Sequence, residues 1–183
     1  MPAANQLETP RLILRPWTEA DAPALFRWAS DPEVGPRAGW EPHRSVEESA
    51  RIIRDVLAVP ESYAIVVRGR EPEGEPVGAV GLKFGAASEL AHGSREAELG
   101  YWLARPLWGR GYMPEAGRAL LEHAFVDLRL EAVWAGHYEG NVQSRRVMEK
   151  LGLTEQYVRE SDGRTERVLR VTRREWARSG ARP

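Results

Sequence analysis

Between Trp108 and Ala116 the chain reads Trp-Gly-Arg-Gly-Tyr-Met-Pro-Glu-Ala, a glycine-rich turn set against a proline that can open a helix. Proline suits the first helical position because its φ is already close to helical and the N–H it lacks would have had no helical partner. Pro114 therefore predicts a helix start, and the turn before it presents main-chain N–H groups to whatever lies in front. Such a helix end carries roughly half a positive charge and stabilises an anion by about 0.3–1 kcal/mol per contact, more when partly buried. Gly109 and Gly111 allow close approach of the backbone, so the pattern suits a diphosphate. A lone Gly-x-Gly also caps many ordinary surface helices, and the rest of the chain must separate the two readings. A nucleotide hydrolase fits poorly, because the turn lacks the lysine and hydroxyl of a phosphate-binding G-x-x-x-x-G-K-[ST] loop.

Carboxylates flank the turn. Glu96 and Glu98 lie on a segment, Glu96 to Leu103, that reads as a strand. In a regular strand Glu98, Gly100 and Trp102 share one face, while Leu99, Tyr101 and Leu103 share the other. Glu115 falls in the first helical turn, where it complements the helix dipole but would repel a diphosphate unless turned aside; it is read as structural. His43, His92, His123 and His137 show no ligand spacing, and with no cysteine no metal site is expected. The absence of cysteine also excludes disulfides and a cysteine nucleophile.

Several elements must hold these groups. Arg11 to Arg15 reads as a strand, followed by a helix capped at Thr18 and Asp21 that carries Leu25, Phe26 and Trp28 and ends before Asp31-Pro32. After a Pro- and Gly-rich loop containing Trp40, a possible acceptor contact, Ser45 and Glu48 form a capping box for a second helix with Val46, Ala50, Ile53 and Leu57. Tyr63–Val67 and Pro76–Phe84 fit two antiparallel strands around a charged turn. The Pro114 helix carries Gly117, Leu121, Phe125 and Leu128 on one face and leads to a strand at Val133–Tyr138, so the strand–helix–strand order implies parallel neighbours. A short helix follows Asn141 and stops at Gly152, with Leu153 folding back on Met148 as in a Schellman cap. Tyr157 to Trp176 reads as a hairpin about Asp162-Gly163.

At 183 residues, 42% hydrophobic and 29% charged, with a formal net charge of -1, the chain fits one α/β domain over 1–183, its core about 8–178. The balanced charge argues against a nucleic-acid partner, and Arg164–Arg178, the most basic stretch, alternates with acidic and apolar residues. No apolar run is long enough to span a membrane and no leader is recognisable, so a cytoplasmic location without membrane attachment is expected.

Four segments in order resemble the GCN5-related N-acetyltransferase (GNAT) superfamily, and within it the RimJ/RimL-type ribosomal-protein-alanine acetyltransferases. They are Leu7–Pro16, Glu98–Leu103, Trp108–Ala116 and Asn141–Leu153. The superfamily's acetyl-CoA signature has Gln or Arg, two residues, Gly, one residue, then Gly or Ala; here these positions hold Trp108, Gly111 and Met113. Tryptophan is familiar in this branch, and methionine is a bulkier occupant.

The resemblance implies a mixed, twisted sheet splayed between two parallel central strands, Glu96–Leu103 and Val133–Tyr138, with flanking helices. It implies acetyl-CoA as co-substrate, its diphosphate on Trp108, Gly109, Arg110, Gly111, Tyr112 and Met113. Its pantetheine arm would meet the main chain of Tyr101, Trp102 and Leu103 and the side chain of Asn141, with an N–H of that strand as oxyanion donor. Glu98 is then the expected base, directly or through water, with Glu96 as rival on the same face. Ser144 is the expected acid for the leaving thiolate or simply a helix cap, and the tyrosine many members use for that acid is replaced by Met148. Arg146 and Lys150 have the reach for a cofactor phosphate, although exposed helix charges are usually solvated. The expected reaction is direct attack of a primary amine, a protein N-terminus or a small molecule, on the thioester in a ternary complex; the alternative is a non-catalytic acyl-CoA-binding or sensing protein. The resemblance also admits a homodimer.

Overall fold

The computed structural model describes residues 6–179. Its strands are β1 (Leu7–Glu8), β2 (Leu12–Pro16), β3 (Ser62–Val67), β4 (Pro76–Lys83), β5 (Glu96–Leu103), β6 (Ala132–Tyr138), β7 (Thr154–Ser161) and β8 (Arg164–Thr172). The helices are α1 (Ala22–Ala29), α2 (Gly35–Ala38), α3 (Val46–Ile52), α4 (Tyr112–Val126), α5 (Val142–Lys150) and α6 (Arg173–Arg178). The strands form one mixed sheet in the order β1-β2-β3-β4-β5-β6-β8-β7. β5 and β6 are parallel, as the strand–helix–strand order requires. Their ladder runs only from Glu96↔Ala132 to Glu98↔Trp134, while β5 continues to Leu103 and β6 to Tyr138.

The chain divides into two compact units. One comprises the residues up to Gly81 together with Tyr101–Ala116; the other comprises Leu82–Gly100 and the residues from Gly117 onward. In the first, β2 pairs antiparallel with β3, and β3 with β4. Trp17, Leu25, Ile53, Ala64 and Ala79 make a buried cluster against which Trp40 and Trp102 pack. Asp21 accepts from the Thr18 N–H and hydroxyl at 2.9 and 3.1 Å, so the expected cap opens a short 3-10 turn that runs on into α1. α3 begins at Ser45, whose hydroxyl accepts from the Glu48 N–H at 3.1 Å, but the helix relaxes into a wider π-type turn over Ile53–Leu57. The Pro- and Gly-rich stretch before it is not all loop, since α2 forms there and ends on Gly39 at φ 90°.

In the second unit Leu120, Leu121, Val133, Met148 and Leu151 are fully buried. The hairpin turns on Asp162 and Gly163, both at positive φ, and its strands pair from Thr154↔Arg170 to Ser161↔Arg164. It starts earlier and stops earlier than expected, because Thr172 and Glu175 form a reciprocal cap that starts α6 and ends β8. α5 ends as expected: the Leu153 N–H reaches the Met148 carbonyl and the Gly152 N–H that of Glu149, each at 3.0 Å, with Gly152 at φ +82°. Gly152→Ala places a side chain in that left-handed conformation and is expected to cost about 1 kcal/mol, lowering the thermal midpoint by about 2–4 °C in a chain of this size, measured by calorimetry.

Candidate functional site

The glycine turn lies in the first unit. Gly109 and Gly111 have φ of 76° and 80°; a Cβ at Gly109 would meet nothing within 4 Å, whereas one at Gly111 would lie 3.4 Å from Arg11 Nη2. α4 starts at Tyr112, two residues ahead of Pro114, and the Glu115 N–H closes the first turn on the Gly111 carbonyl at 3.2 Å. Pro114 thus sits inside the first turn, where its missing N–H costs no helical bond; the donors in front of the helix are those of Gly109 to Met113. Met113 is 5% exposed, so its bulk goes to the interior.

Glu115 is turned aside, as a diphosphate seat requires. Its Oε1 accepts from the Thr9 hydroxyl at 2.6 Å and the Arg11 N–H at 3.0 Å, and its Oε2 from Arg11 Nε at 2.6 Å. Burial pushes this carboxyl's pKa up, but the bonds from Thr9 and Arg11 outweigh burial and hold it below the ordinary glutamate value. Arg11 also donates through Nη1 to the Arg110 carbonyl at 3.0 Å, and its guanidinium lies 4.6 Å from the Tyr112 ring centroid. These roles of Thr9 and Arg11 were not read from the sequence, where Leu7–Pro16 carried resemblance and strand propensity alone. The Thr-Pro-Arg set directly before the apolar Leu12-Ile13-Leu14 was the available signal.

The end of β5 belongs to the same unit. Trp108 Nε1 donates to the Leu103 carbonyl at 2.7 Å and the Ala104 N–H to Val77 at 2.8 Å, so this strand end is held on both sides. Trp102 meets Trp40 edge-on, centroids 5.9 Å apart, and Trp40 lies 5.3 Å from His43. His43 is itself bonded to the buried Ser49 hydroxyl at 2.8 Å, and burial lowers its pKa.

Glu98 lies on the part of β5 that belongs to the second unit, its side chain 12% exposed. Oε1 accepts from Lys83 Nζ at 3.0 Å; Oε2 accepts from the Ser88 hydroxyl at 3.0 Å and the Glu89 N–H at 2.8 Å, with that of Leu90 at 3.3 Å. Burial raises its pKa, while the Lys83 charge and bond, the Glu89 N–H and the Ser88 hydroxyl more than compensate and hold the carboxyl below its ordinary value. Glu89 in turn accepts from Arg159 on β7 at 2.7 Å. Glu96 accepts from Trp134 Nε1 at 2.9 Å. Lys83 and Ser88 are partners the sequence did not announce.

Asn141 and Ser144 come together at the start of α5, with the roles of cap and capped reversed. Asn141 Oδ1 accepts from the Ser144 N–H at 3.2 Å, so the cap is Asn141 and Ser144 stands in the first turn. Met148, in the place of the superfamily tyrosine, is 1% exposed and belongs to the core. His137 is buried, its Nδ1 3.0 Å from the Tyr138 carbonyl oxygen, and it lines a cavity of about 300 Å³ with Glu139, Asn141, Arg145, Glu155 and Arg167. Among the described residues no His/Asp/Glu cluster could hold a metal ion and no helix is long and apolar enough to cross a membrane.

Residues 11–154 match the family described as an acetyltransferase (GNAT) domain, a span that runs through both units. An uncharacterized N-acetyltransferase of Bacillus subtilis (strain 168), YoaA, is 30% identical over 154 residues, covering 83% of this chain and 84% of that protein. The crystal structure of a GNAT-family acetyltransferase from Bacillus anthracis matches with a TM-score of 0.80 at 20% identity, over 93% of this chain and 99% of that one. RimJ of Mycobacterium smegmatis, solved in complex with CoA-disulfide, matches at 0.70 and 24% identity, over 97% and 94%. At these identities the two structures bear on the fold alone.

A carboxylate with a depressed folded pKa contributes stability that is complete above the unfolded value, about 4.3, and is lost as the pH falls through the lower folded value. The stability difference between wild type and Glu98→Gln, measured by urea denaturation, is therefore expected to hold steady from pH 7 to about 5 and to close below about 4. A difference independent of pH would show that the charge of Glu98 contributes nothing.

Proposed function

The chain belongs to the GNAT acetyltransferase family, and from that premise we propose that it acts as one N-acetyltransferase domain, moving an acetyl group from acetyl-CoA to a primary amine by direct attack in a ternary complex. The observation that carries this reading is the glycine turn: positive φ at Gly109 and Gly111, open space at Gly109, and a Glu115 carboxylate bound away to Thr9 and Arg11. N–H groups of Gly109 to Met113 hold the diphosphate, as the helix field favours, while that of Trp108 is spent on the Arg105 carbonyl at 3.1 Å. The main chain of Tyr101 to Leu103 and the Asn141 amide hold the pantetheine arm, and an N–H of β5 takes the developing oxyanion. Bound acetyl-CoA supplies a thioester carbonyl as electrophile and a thiolate leaving group. Ser144 gives the thiolate its proton and recovers one from the acylated nitrogen, so the net proton released is the one Glu98 takes.

Glu98 receives the ammonium proton, directly or through a water. Its depressed pKa keeps it ionised at neutral pH but makes it a weak base. The proton-transfer gap is therefore smaller for an α-amine, whose pKa is about 8, than for an alkylammonium near about 10, which favours protein N-termini and low-pKa small amines as acceptors. The site resembles that of the ribosomal-protein-alanine branch in its Trp108 turn and Asn141-to-Ser144 segment.

Two observations favour the alternative of an acyl-CoA-binding protein without turnover: Met148 stands buried where an acid would be, and Glu98 is already bonded to Lys83, Ser88 and Glu89. Thiol release from acetyl-CoA in a screen of peptide N-termini against small amines decides between the readings. Release with at least one α-amine is expected, and Glu98→Gln is expected to lower kcat by about 10²–10⁴-fold with little change in acetyl-CoA binding. Binding by calorimetry with no release on any amine would leave the alternative standing.

A further inference from the structure

We propose that Arg11 is a positioning residue for acyl-carrier binding: it fixes the orientation of the glycine turn through the Arg110 carbonyl and neutralises Glu115, the one carboxylate in the first turn of α4. The inference rests on the diphosphate-seat reading above. Arg11 lies on the chain between β1 and β2, about a hundred residues from the turn, and touches the seat at three points. It donates to the Arg110 carbonyl at 3.0 Å, donates to Glu115 through its main chain and side chain, and lies over the Tyr112 ring.

The Arg110 carbonyl and the Gly111 N–H belong to one planar trans peptide, so they point in opposite directions. Holding the carbonyl on Arg11 therefore turns the Gly111 N–H away from Arg11. Arg11 Nη2 also lies 3.4 Å from where a Cβ at Gly111 would stand, so the guanidinium packs against the turn itself. Electrostatics acts in the same sense. A carboxylate in a first helical turn competes with an incoming anion for the same N–H groups and repels it. Thr9 and Arg11 engage both Glu115 oxygens, and the guanidinium cancels the charge. Without Arg11, a diphosphate would meet an unneutralised carboxylate and an unanchored turn.

Titration calorimetry with CoA on wild type, Arg11→Met, Glu115→Gln and the double variant tests this, with the KM for acetyl-CoA and kcat measured alongside. Arg11→Met is expected to weaken CoA binding about tenfold, the size expected of one misplaced charge at a partly buried helix N-terminus. Its KM for acetyl-CoA rises by a similar factor, and kcat at saturation falls less than about twofold. Glu115→Gln binds CoA as tightly as wild type or tighter, and in the double variant it restores most of the loss. A pair with only a structural role would have Glu115→Gln weaken binding as Arg11→Met does, and the double variant no better than either; that result overturns the proposal, as does an Arg11→Met that binds like wild type. Should Arg11→Met fail to fold by its thermal melt, Glu115→Gln alone decides, since looser binding by it contradicts the charge argument. Wild type that does not bind CoA would remove the seat reading itself, before any variant is compared.

Discussion

An anion can sit before a helix only where the backbone is bare and the field is not cancelled, and this constraint organises the turn ahead of α4. Two glycines at positive φ remove side chains from the approach, Met113 points inward, and the first-turn carboxylate is tied to Thr9 and Arg11. Each alone is ordinary. Together they clear side chains and negative charge from the N–H groups ahead of the helix, and such groups bind charge without reorganising.

A second constraint acts on Glu98. A mostly buried carboxylate needs partners, because an uncompensated one would cost several kcal/mol. Lys83, Ser88 and two loop N–H groups supply them, and through Glu89 the same loop reaches Arg159 on the hairpin. The carboxylate therefore organises the Ser88–Leu90 loop while remaining ionised. On the proposed mechanism, proton transfer would draw on the same carboxylate oxygens that anchor this loop.

Local signals in the sequence translated well into structure. The Thr18/Asp21 and Ser45/Glu48 caps, the Schellman ending at Gly152 and the Asp162-Gly163 turn all formed, because each rests on residues a few positions apart. β5 came out with the expected bounds, and its burial alternates as far as Gly100, after which Tyr101 stays half-buried like its neighbours. Reading failed where neighbouring signals competed. Pro114 suggested a helix start, yet the Gly111 carbonyl captured the Glu115 N–H and began α4 two residues earlier. Ser144 is a natural cap, but Asn141 precedes it and took that place. Apolar periodicity carried α3 to Leu57, where the backbone instead widened into a π-type turn.

The sequence by itself determined the order of the main elements, though not β1, α2 or α6, together with the glycine turn and the four segments that resemble the acetyltransferases, since these depend on backbone preferences and spacing along the chain. Only the tertiary structure selected the partner of each charge. Among 26 basic and 27 acidic side chains, nothing local tells Glu115 that its arginine is Arg11, or Glu98 that its lysine is Lys83. Ion pairing has little preference for sequence distance, so the choice falls to whichever strand the sheet brings alongside.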